Sequence, residues 1–577
     1  MIKYICNHCD HLSCETSICP VCGGRTQLVS SEIFYCKNCN SPSFFEICPS
    51  CHNKCERISS DLKPVFARER LLIETLLNSP MKYAGKQMWA LGGQKFFVDG
   101  EKISLPFSKA KSFNLKNILK TLEKYEDENK VYVESDLTNA DINKFIEINK
   151  TRLNYIVNEA SDYIRKIANE FDASNMFVSF SGGKDSTAVS SLVMNALGTE
   201  RIIHIYGDTT LEYPTSKEYL KEFRKTFPNT PVLIAKNREQ NFNDLCQVVG
   251  PPSRVMRWCC TIFKTGAIAK KIEQTFGNSK RLLSFQGIRR AESVSRRKYD
   301  RDSTSSKISK QLVASPIIDW IDFDVWLYLL AKGIPFNGAY RQGFTRVGCW
   351  CCPCNSERSE FLSSIYMNDE YTKFKNILYM FAQTVGKKDW KEYIDTGKWK
   401  ARQGGNGLEY SKKTVLDFKP CAFDQDSFNF ELSKPIDNFL YTLFRPFGIL
   451  DFQIGNQRLG EVIILNRNTK MPLLKLTGKI GTTKLRVTLL NYDGPFKQKR
   501  DAETMIKNQI TKFQLCLGCV YCQSVCRFGA LKVSKEPDGS IAYNIDENKC
   551  VGCLECVNHF DGGCYMKKVL RIKKEGN

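Results

Sequence analysis

Residues 176–197 read "MFVSFSGGKDSTAVSSLVMNAL": an apolar run, two adjacent glycines, then an apolar-rich segment of helical length. A chain can pass from a strand into a helix through such a loop in few ways. Gly182 and Gly183 let backbone N–H groups approach a ligand with no Cβ in between. The helix that follows presents its positive N-terminus to the same point. Lys184 adds a mobile cation, and Ser181 and Ser186 add hydroxyl donors. The pattern predicts a phosphate cradle rather than a plain turn. It is not a Walker loop, because G-x-x-x-x-G-K-[ST] is absent here.

Strands and helices alternate on either side. "RIIHIYGD", "PVLIA" and "RLLSFQG" read as strands, residues 214–227 as a helix, and residues 139–171 show helical periodicity. This alternation predicts an α/β fold with a doubly wound, mostly parallel sheet, whose ligands sit at the carboxyl ends of the strands. Upstream, "MWALGGQKFFVDGEKISLPF" reads as a β meander and "NLKNILKTLEKY" as a helix, and strands return in "EVIILNRNT" and "PLLKLTGKIGTTKLRVTLL".

A chain of 577 residues exceeds one core, so about three to five domains are expected. The boundaries fall at 1–60, 61–138 (a small α+β adaptor), 139–419, 420–511 (a small β-rich basic domain) and 512–577. No run approaches the ~18 apolar residues of a membrane helix, and the N-terminus lacks a signal-peptide core, so a cytoplasmic protein with no membrane partner is expected. The net charge is +22. Residues 215–315 hold 21 Lys and Arg against 8 Asp and Glu, an excess of 13 beside the suspected cradle. Such a segment attracts a polyanion, either a nucleotide or a nucleic acid.

Twenty-six cysteines, mostly in C-x-x-C pairs, point to metal rather than disulfides in a chain of this kind. Cys6, Cys9, Cys19 and Cys22 form one set of four thiolates and Cys36, Cys39, Cys48 and Cys51 a second. Each set suits one tetrahedral zinc, and the segment resembles a double zinc ribbon. Cys14, Cys55, His8 and His52 are spare or alternative ligands. At the other end, Cys516, Cys519, Cys522 and Cys526 have the spacing of bacterial ferredoxins, and Cys550, Cys553, Cys556 and Cys564 repeat it with a longer last gap. By ferredoxin crossover, Cys516, Cys519, Cys522 and Cys564 hold one [4Fe–4S] cluster, and Cys526, Cys550, Cys553 and Cys556 the other. Arg527 and Tyr565 stand where ferredoxins carry proline.

SGGKDS resembles the PP-loop of the adenine-nucleotide α-hydrolase superfamily, and further motifs resemble one branch of it, the phosphoadenosine phosphosulfate (PAPS) reductase family. "GDTTLEYPTSKEYL" is similar to that family's second-strand motif, with Asp208 at the strand end. "GIRRAESVSRR" is similar to its G-x-R-x-x-E-S-x-x-R, which lands on Gly287, Arg289, Glu292, Ser293 and Arg296. The resemblance spans about residues 170–356 and makes 139–419 a PP-loop domain. It implies an adenine nucleotide (ATP, APS or PAPS) held by Ser181, Gly182, Gly183, Lys184, Asp185, Ser186 and Asp208. Lys184, Asp185, Arg289, Glu292 and Arg296 are its implied catalytic groups. Arg289 and Arg296 are the expected anion clamps, Arg290 and Arg297 their solvated companions; Trp320 and Trp326 are expected in the core. The vicinal pair Cys259–Cys260 with Cys349 and Cys352 resembles the [4Fe–4S] ligation of adenylyl-sulfate (APS) reductases and related DNA phosphorothioation enzymes. Cys351 and Cys354 share the C-x-x-C spacing and remain alternatives.

Two enzymatic readings follow. One is reduction of APS or PAPS to sulfite, with electrons from a donor arriving through the ferredoxin-like segment. The other is ATP-dependent sulfur insertion into a nucleic acid, releasing AMP and pyrophosphate, with the ribbons and residues 215–315 as nucleic-acid contacts. The reductases' E-C-G-x-H nucleophile motif does not occur in these 577 residues, and Cys421 is a poor substitute. A binding or sensor protein that kept the fold is the least expected reading, since the loop and its charged companions are intact.

Overall fold

The computed structural model describes residues 3–6, 12–13, 19–23, 26–92, 94–105, 114–128, 139–277, 279, 281–304, 311–384, 386–401, 417–492, 495–559 and 563–569. These divide into two bodies: Met1–Ile234 with Asn278–Tyr371, and Ala235–Gly277 with Thr372–Asn577.

The first body is built on the alternation that begins at residue 176. Its elements are β1 (Met176–Phe180), α1 (Lys184–Leu197), β2 (Ile203–Asp208), α2 (Pro214–Thr226), β3 (Val232–Lys236), β4 (Leu282–Gln286), β5 (Asp302–Thr304), β6 (Gln311–Ala314) and α3 (Asp322–Ala331). The sheet order is β3-β2-β1-β4-β6-β5. β1 runs parallel to β2 and β4, and β4 to β6, while β5 closes one edge antiparallel. The fold is therefore α/β with a mostly parallel sheet. β1 is buried along nearly its whole length, as a central strand covered on both faces must be. The chain winds from β1 outward through β2 to β3, then returns to β4 on the other side. That reversal opens a crevice at the carboxyl ends of β1 and β4.

Helices Asn139–Ile148 and Lys150–Ala168 are the two halves of the periodic segment 139–171. Ile156, Ala160 and Ile164 join Val178, Val189, Leu192, Phe285 and Trp326 in one hydrophobic core. The same core takes in Leu62, Phe66, Trp89 and Phe97 from the antiparallel sheet of Lys63–Val65, Met88–Gly92, Lys95–Val98 and Glu101–Ser104. It also takes in Tyr35 of the second cysteine segment, whose ring lies 4.6 Å from that of Phe97. Trp320 and Trp326 are buried in it, as their apolar surroundings predict.

The second body contains a six-stranded antiparallel sheet over Asp417–Pro420, Ser427–Glu431, Lys484–Leu489, Pro472–Thr477, Glu461–Leu465 and Ile449–Asp451, in that order across the sheet. The helix Lys499–Leu515 leads from it into the last cysteines, which flank the hairpin Leu531–Lys535/Ile541–Ile545. None of the described helices is long and apolar enough to cross a membrane.

A bidentate ion pair ties the long helix to α3: Arg152 Nε and Nη2 donate to Asp324 at 3.0 and 2.9 Å. Asp324 is fully buried. Replacing Arg152 with Leu strands that carboxylate and should lower the unfolding free energy of the first body by about 3–5 kcal/mol. Denaturant unfolding followed by tryptophan fluorescence measures the change, and an unshifted midpoint would show that the pair contributes nothing.

Candidate functional site

The loop after β1 turns at Gly182, which has φ +69°, a conformation that favours glycine. Ser186 Oγ donates to Gly183 O at 2.9 Å, and the hydroxyls of Ser181 and Ser186 lie 3.0 Å apart. Ser186 is buried and braces the loop, whereas Ser181 is exposed at its rim. Tyr340 Oη accepts from the Lys184 backbone N–H at 2.9 Å. β4 ends against this loop: a Cβ on Gly287 would lie 2.7 Å from the Asp185 carbonyl carbon, so only glycine lets the two strand exits approach.

The charged side chains form one buried set. Lys184 Nζ lies 3.1 Å from Asp185 Oδ2 and 3.2 Å from Asp322 Oδ1. Arg289 Nε donates to Asp185 Oδ1 at 2.6 Å, and its Nη2 donates to Asp322 Oδ1 at 2.6 Å. Its Nη1 reaches Trp320 O at 3.3 Å. Lys184 and Arg289 are 4% and 3% exposed, so neither stands free at the surface as a simple anion clamp. Burial alone would lower the lysine and raise the carboxyl. The opposite charges win: Lys184 is held above its ordinary range and Asp322 well below the carboxylate range.

Asp61 lies beneath this set. Its carboxylate accepts from the backbone N–H groups of Asp322 and Phe323 at 2.9 and 3.0 Å, which caps the start of α3. Burial, with the Asp322 charge beside it, pushes the Asp61 carboxyl up to about 7. A cavity of about 360 Å³ opens next to Asp61 and Asp322 and is also lined by Lys63, Gln94, Ser356 and Arg358.

The remaining expected residues are arranged around the crevice. Asp208 ends β2 and accepts from Thr210 N at 2.8 Å. Glu292 and Arg296 pair with each other. Burial and the neighbouring Arg346 charge lower the pKa of Arg296. Arg297 is exposed as expected, but Arg290 is not solvated: it is buried, donates to Tyr299 O at 3.0 Å and pairs with Asp319. Asp319, just ahead of the start of α3 at Asp322, captures it. Asp61, Asp322 and Arg346 were not foreseen. Asp322 and Arg346 lie inside the segment whose resemblance was noted, whereas Asp61 is 261 residues from its partner and nothing local marks it.

Among the described residues, Cys36, Cys39, Cys48 and Cys51 hold their sulfur atoms within 4.8 Å of one another. Cys36 and Cys51 are 3.4 Å apart, and Cys39 and Cys48 3.7 Å. A tetrahedral ion with bonds of ~2.3 Å to sulfur spans edges of ~3.8 Å, so the group is compatible with one metal ion. In the other N-terminal set, Cys19 is buried and Cys22 exposed, Cys6 ends a short strand, and Cys9, Cys14 and His8 lie outside the described residues.

Cys349 follows the crevice closely. It bridges Glu212 in a short antiparallel contact, and its Sγ is 3.3 Å from Thr209 Oγ1 in the loop after β2. Cys349 and Cys352 are half-buried, Cys351 is buried and Cys354 exposed. Cys259 and Cys260 belong to the second body, where Cys260–Thr265 forms a π-helical turn, a geometry frequent at functional sites.

The two C-terminal cysteine loops repeat one conformation. Gly518 and Val520 have φ +71° and +53°; Gly552 and Leu554, at the equivalent positions, have +67° and +59°. Each loop ends in a short helix, Tyr521–Val525 or Glu555–Asn558. Burial, with the charges of Cys564, Cys522 and Cys516 nearby, pushes the Cys519 thiol well up. Burial and Cys526 raise Cys553 in the same way. Arg467 Nη2 lies 3.8 Å from Cys550 Sγ.

A glycine loop at a helix N-terminus, set at the carboxyl end of a central parallel strand, defines an α/β domain with a phosphate-loop geometry. Residues 175–355 match the family model of the phosphoadenosine phosphosulfate reductase domain. An uncharacterised protein of Methanocaldococcus jannaschii is 35% identical over 214 residues, covering 36% of this chain and 42% of that protein. A second uncharacterised protein of the same organism is 28% identical over 243 residues, 42% of this chain and 57% of that one. The chain thus spans about half the length of these relatives. The adenosine 5'-phosphosulfate reductase of Neisseria meningitidis serogroup A is 35% identical over 101 residues, 17% of this chain and 36% of that enzyme.

The raised Asp61 carboxyl makes stability depend on pH with a defined sign. The folded state keeps a proton there that the unfolded chain loses near pH ~3.9. That contribution is complete below about pH 4, declines as pH rises to about 7, and is lost above it. Denaturant unfolding of wild type between pH 4 and 8 should show a fall that Asp61→Asn lacks. Parallel profiles for the two proteins would refute the assignment.

Proposed function

We propose that this protein is an iron–sulfur reductase of an adenylyl-activated sulfur compound, APS or PAPS. The observation that carries the reading is the repeated conformation of the two C-terminal cysteine loops, with Gly518 matched by Gly552 and Val520 by Leu554. Paired loops of this spacing in one module supply ligands for two clusters, and the PAPS reductase domain gives their electrons a use. The cysteine segments at 1–60 and 512–577 are read as zinc ribbons and a ferredoxin-like module. Cys349 and Cys352, with Cys259 and Cys260, are read as ligands of a further [4Fe–4S] centre on the sequence pattern alone.

The chemistry assigned to the chain's own residues is binding and orientation. The backbone N–H groups at the start of α1 receive the nucleotide phosphates. Arg296 and Arg346 face the terminal anion of the substrate, with a planar fork suited to sulfate or phosphate. The Lys184–Asp185–Arg289–Asp322 set fixes the loop and lowers the cost of bringing an anion to it. Two electrons break the S–O bond of the activated sulfate and release sulfite, leaving AMP from APS or adenosine 3',5'-bisphosphate from PAPS. Iron–sulfur clusters, when bound, supply those electrons singly.

A second reading, ATP-dependent sulfur insertion into a nucleic acid, draws on the complete SGGKDS loop, the absent E-C-G-x-H motif and the basic segment 215–315. The products separate the two. Anaerobically purified protein with a one-electron donor should release sulfite from APS or PAPS; AMP and pyrophosphate from ATP, without sulfite, would overturn the reductase reading. Elemental analysis should find about one zinc fewer in Cys48→Ser, and about four irons fewer in the double variant Cys516→Ser/Cys519→Ser, than in wild type. Unchanged metal content in either would remove that ligand set.

A further inference from the structure

We propose that the turn carrying Cys259 and Cys260 is docked on the C-terminal cysteine module, and that the set containing Cys519 and Cys522 is its immediate electron donor. The proposal rests on the reductase reading and adds to it which cysteine set is proximal and which residues make the junction.

All the contacts lie within the second body. The helix Tyr521–Val525 packs on the π-helical turn Cys260–Thr265 and on the helix Gly266–Phe276 that continues it. The approach is as close as backbone allows. A Cβ on Gly266 would lie 2.3 Å from Ser524 O, so no other residue fits without moving the two helices apart. Thr261 and Tyr521 share a hydrogen bond of 2.6 Å between their hydroxyls. Gln523 Nε2 donates to Glu239, and Arg527 Nε lies 3.9 Å from Glu273 Oε2. The seam is thus close-packed backbone to backbone at its centre and polar or charged around it, unlike an incidental surface contact.

The positions along the chain give this seam its use. Thr261 directly follows Cys260, and Tyr521 directly precedes Cys522. One hydrogen bond therefore joins the vicinal pair to the first cysteine loop. The Tyr521 ring also stacks on Tyr565 at 4.6 Å and 14°, and Tyr565 directly follows Cys564. Both aromatic rings belong to residues adjoining the Cys516, Cys519, Cys522 and Cys564 set. Cys553, of the other set, is exposed, where an external donor can reach it. The order is then external one-electron donor of the reduced ferredoxin class, distal set, proximal set, and the centre at Cys259 and Cys260. With clusters held by Cys516, Cys519, Cys522 and Cys564 and at Cys259 and Cys260, one electron would leave the first and enter the second, with no bond made and no proton moved.

The test uses the full chain. In the metal-free protein, Gly266→Val should raise amide hydrogen exchange in both 259–266 and 519–525; a rise confined to the first segment overturns the docking. In the iron-loaded protein, Tyr521→Phe and Gly266→Val should keep wild-type iron content and cluster potentials. Rapid-freeze EPR after a reducing pulse should show electron arrival at the Cys259–Cys260 centre slowed about tenfold, ~1.4 kcal/mol on the barrier. Wild-type arrival rates in both variants overturn the junction and leave the reductase reading standing. Wild-type protein that binds no iron in either cysteine set overturns the reading and this proposal together.

Discussion

Two buried cations and two partly exposed carboxylates meet at the mouth of the sheet. Lys184 and Asp185 come from the loop after β1, Arg289 from the exit of β4, and Asp322 from the first turn of α3. Burying four charges is costly unless every one is matched, so the arrangement tolerates no partial version. Its consequence is registry rather than stability. With Arg289 held on both sides, β4 can leave the sheet only along one path, and Gly287 is there because that path grazes Asp185. The loop is braced from within as well, the Lys184 N–H donating to Tyr340 Oη and the Ser181 N–H to Ser186 Oγ.

Asp61 extends that constraint beyond the reductase-type domain. Its carboxylate caps α3 from a segment that shares the hydrophobic core of the sheet, through Leu62, Phe66 and Trp89. The aromatic contacts of Phe66 with Trp326 at 5.4 Å and of Phe145 with Phe323 at 5.3 Å fix the same helix from its apolar side. The N-terminal segment thus shares both a cap and a core with the helix that carries Asp322. The cysteine segments work by a different principle. Cys36–Cys51 spans few apolar residues for a core of its own, and its four sulfur atoms are instead gathered in a group compatible with one ion.

The sequence was informative wherever chemistry is local in the chain. Strand β1, the loop at 181–186 and α1 were readable because glycine conformation, helix polarity and apolar period all act over a few residues. The metal-compatible group at Cys36, Cys39, Cys48 and Cys51 was readable because C-x-x-C knuckles set their own geometry. Arg290 was misplaced because the fate of a guanidinium depends on which carboxylate folds over it, and Asp319 arrives from 29 residues away. Arg289 was recognised as functional, yet its fork is directed at Asp185 and Asp322, which spacing alone does not show.

By itself, then, the sequence determined the α/β class, the place of the glycine loop, and the group of Cys36, Cys39, Cys48 and Cys51, because each follows from short-range periodicity or spacing. Only the tertiary structure decided that Lys184 and Arg289 are buried in a shared ionic set, that Asp61 caps the helix beneath them, and that Thr261 meets Tyr521 across 260 residues of chain. Those decisions belong to burial and charge pairing, which depend on what packs overhead, and no local stretch of residues carries that information.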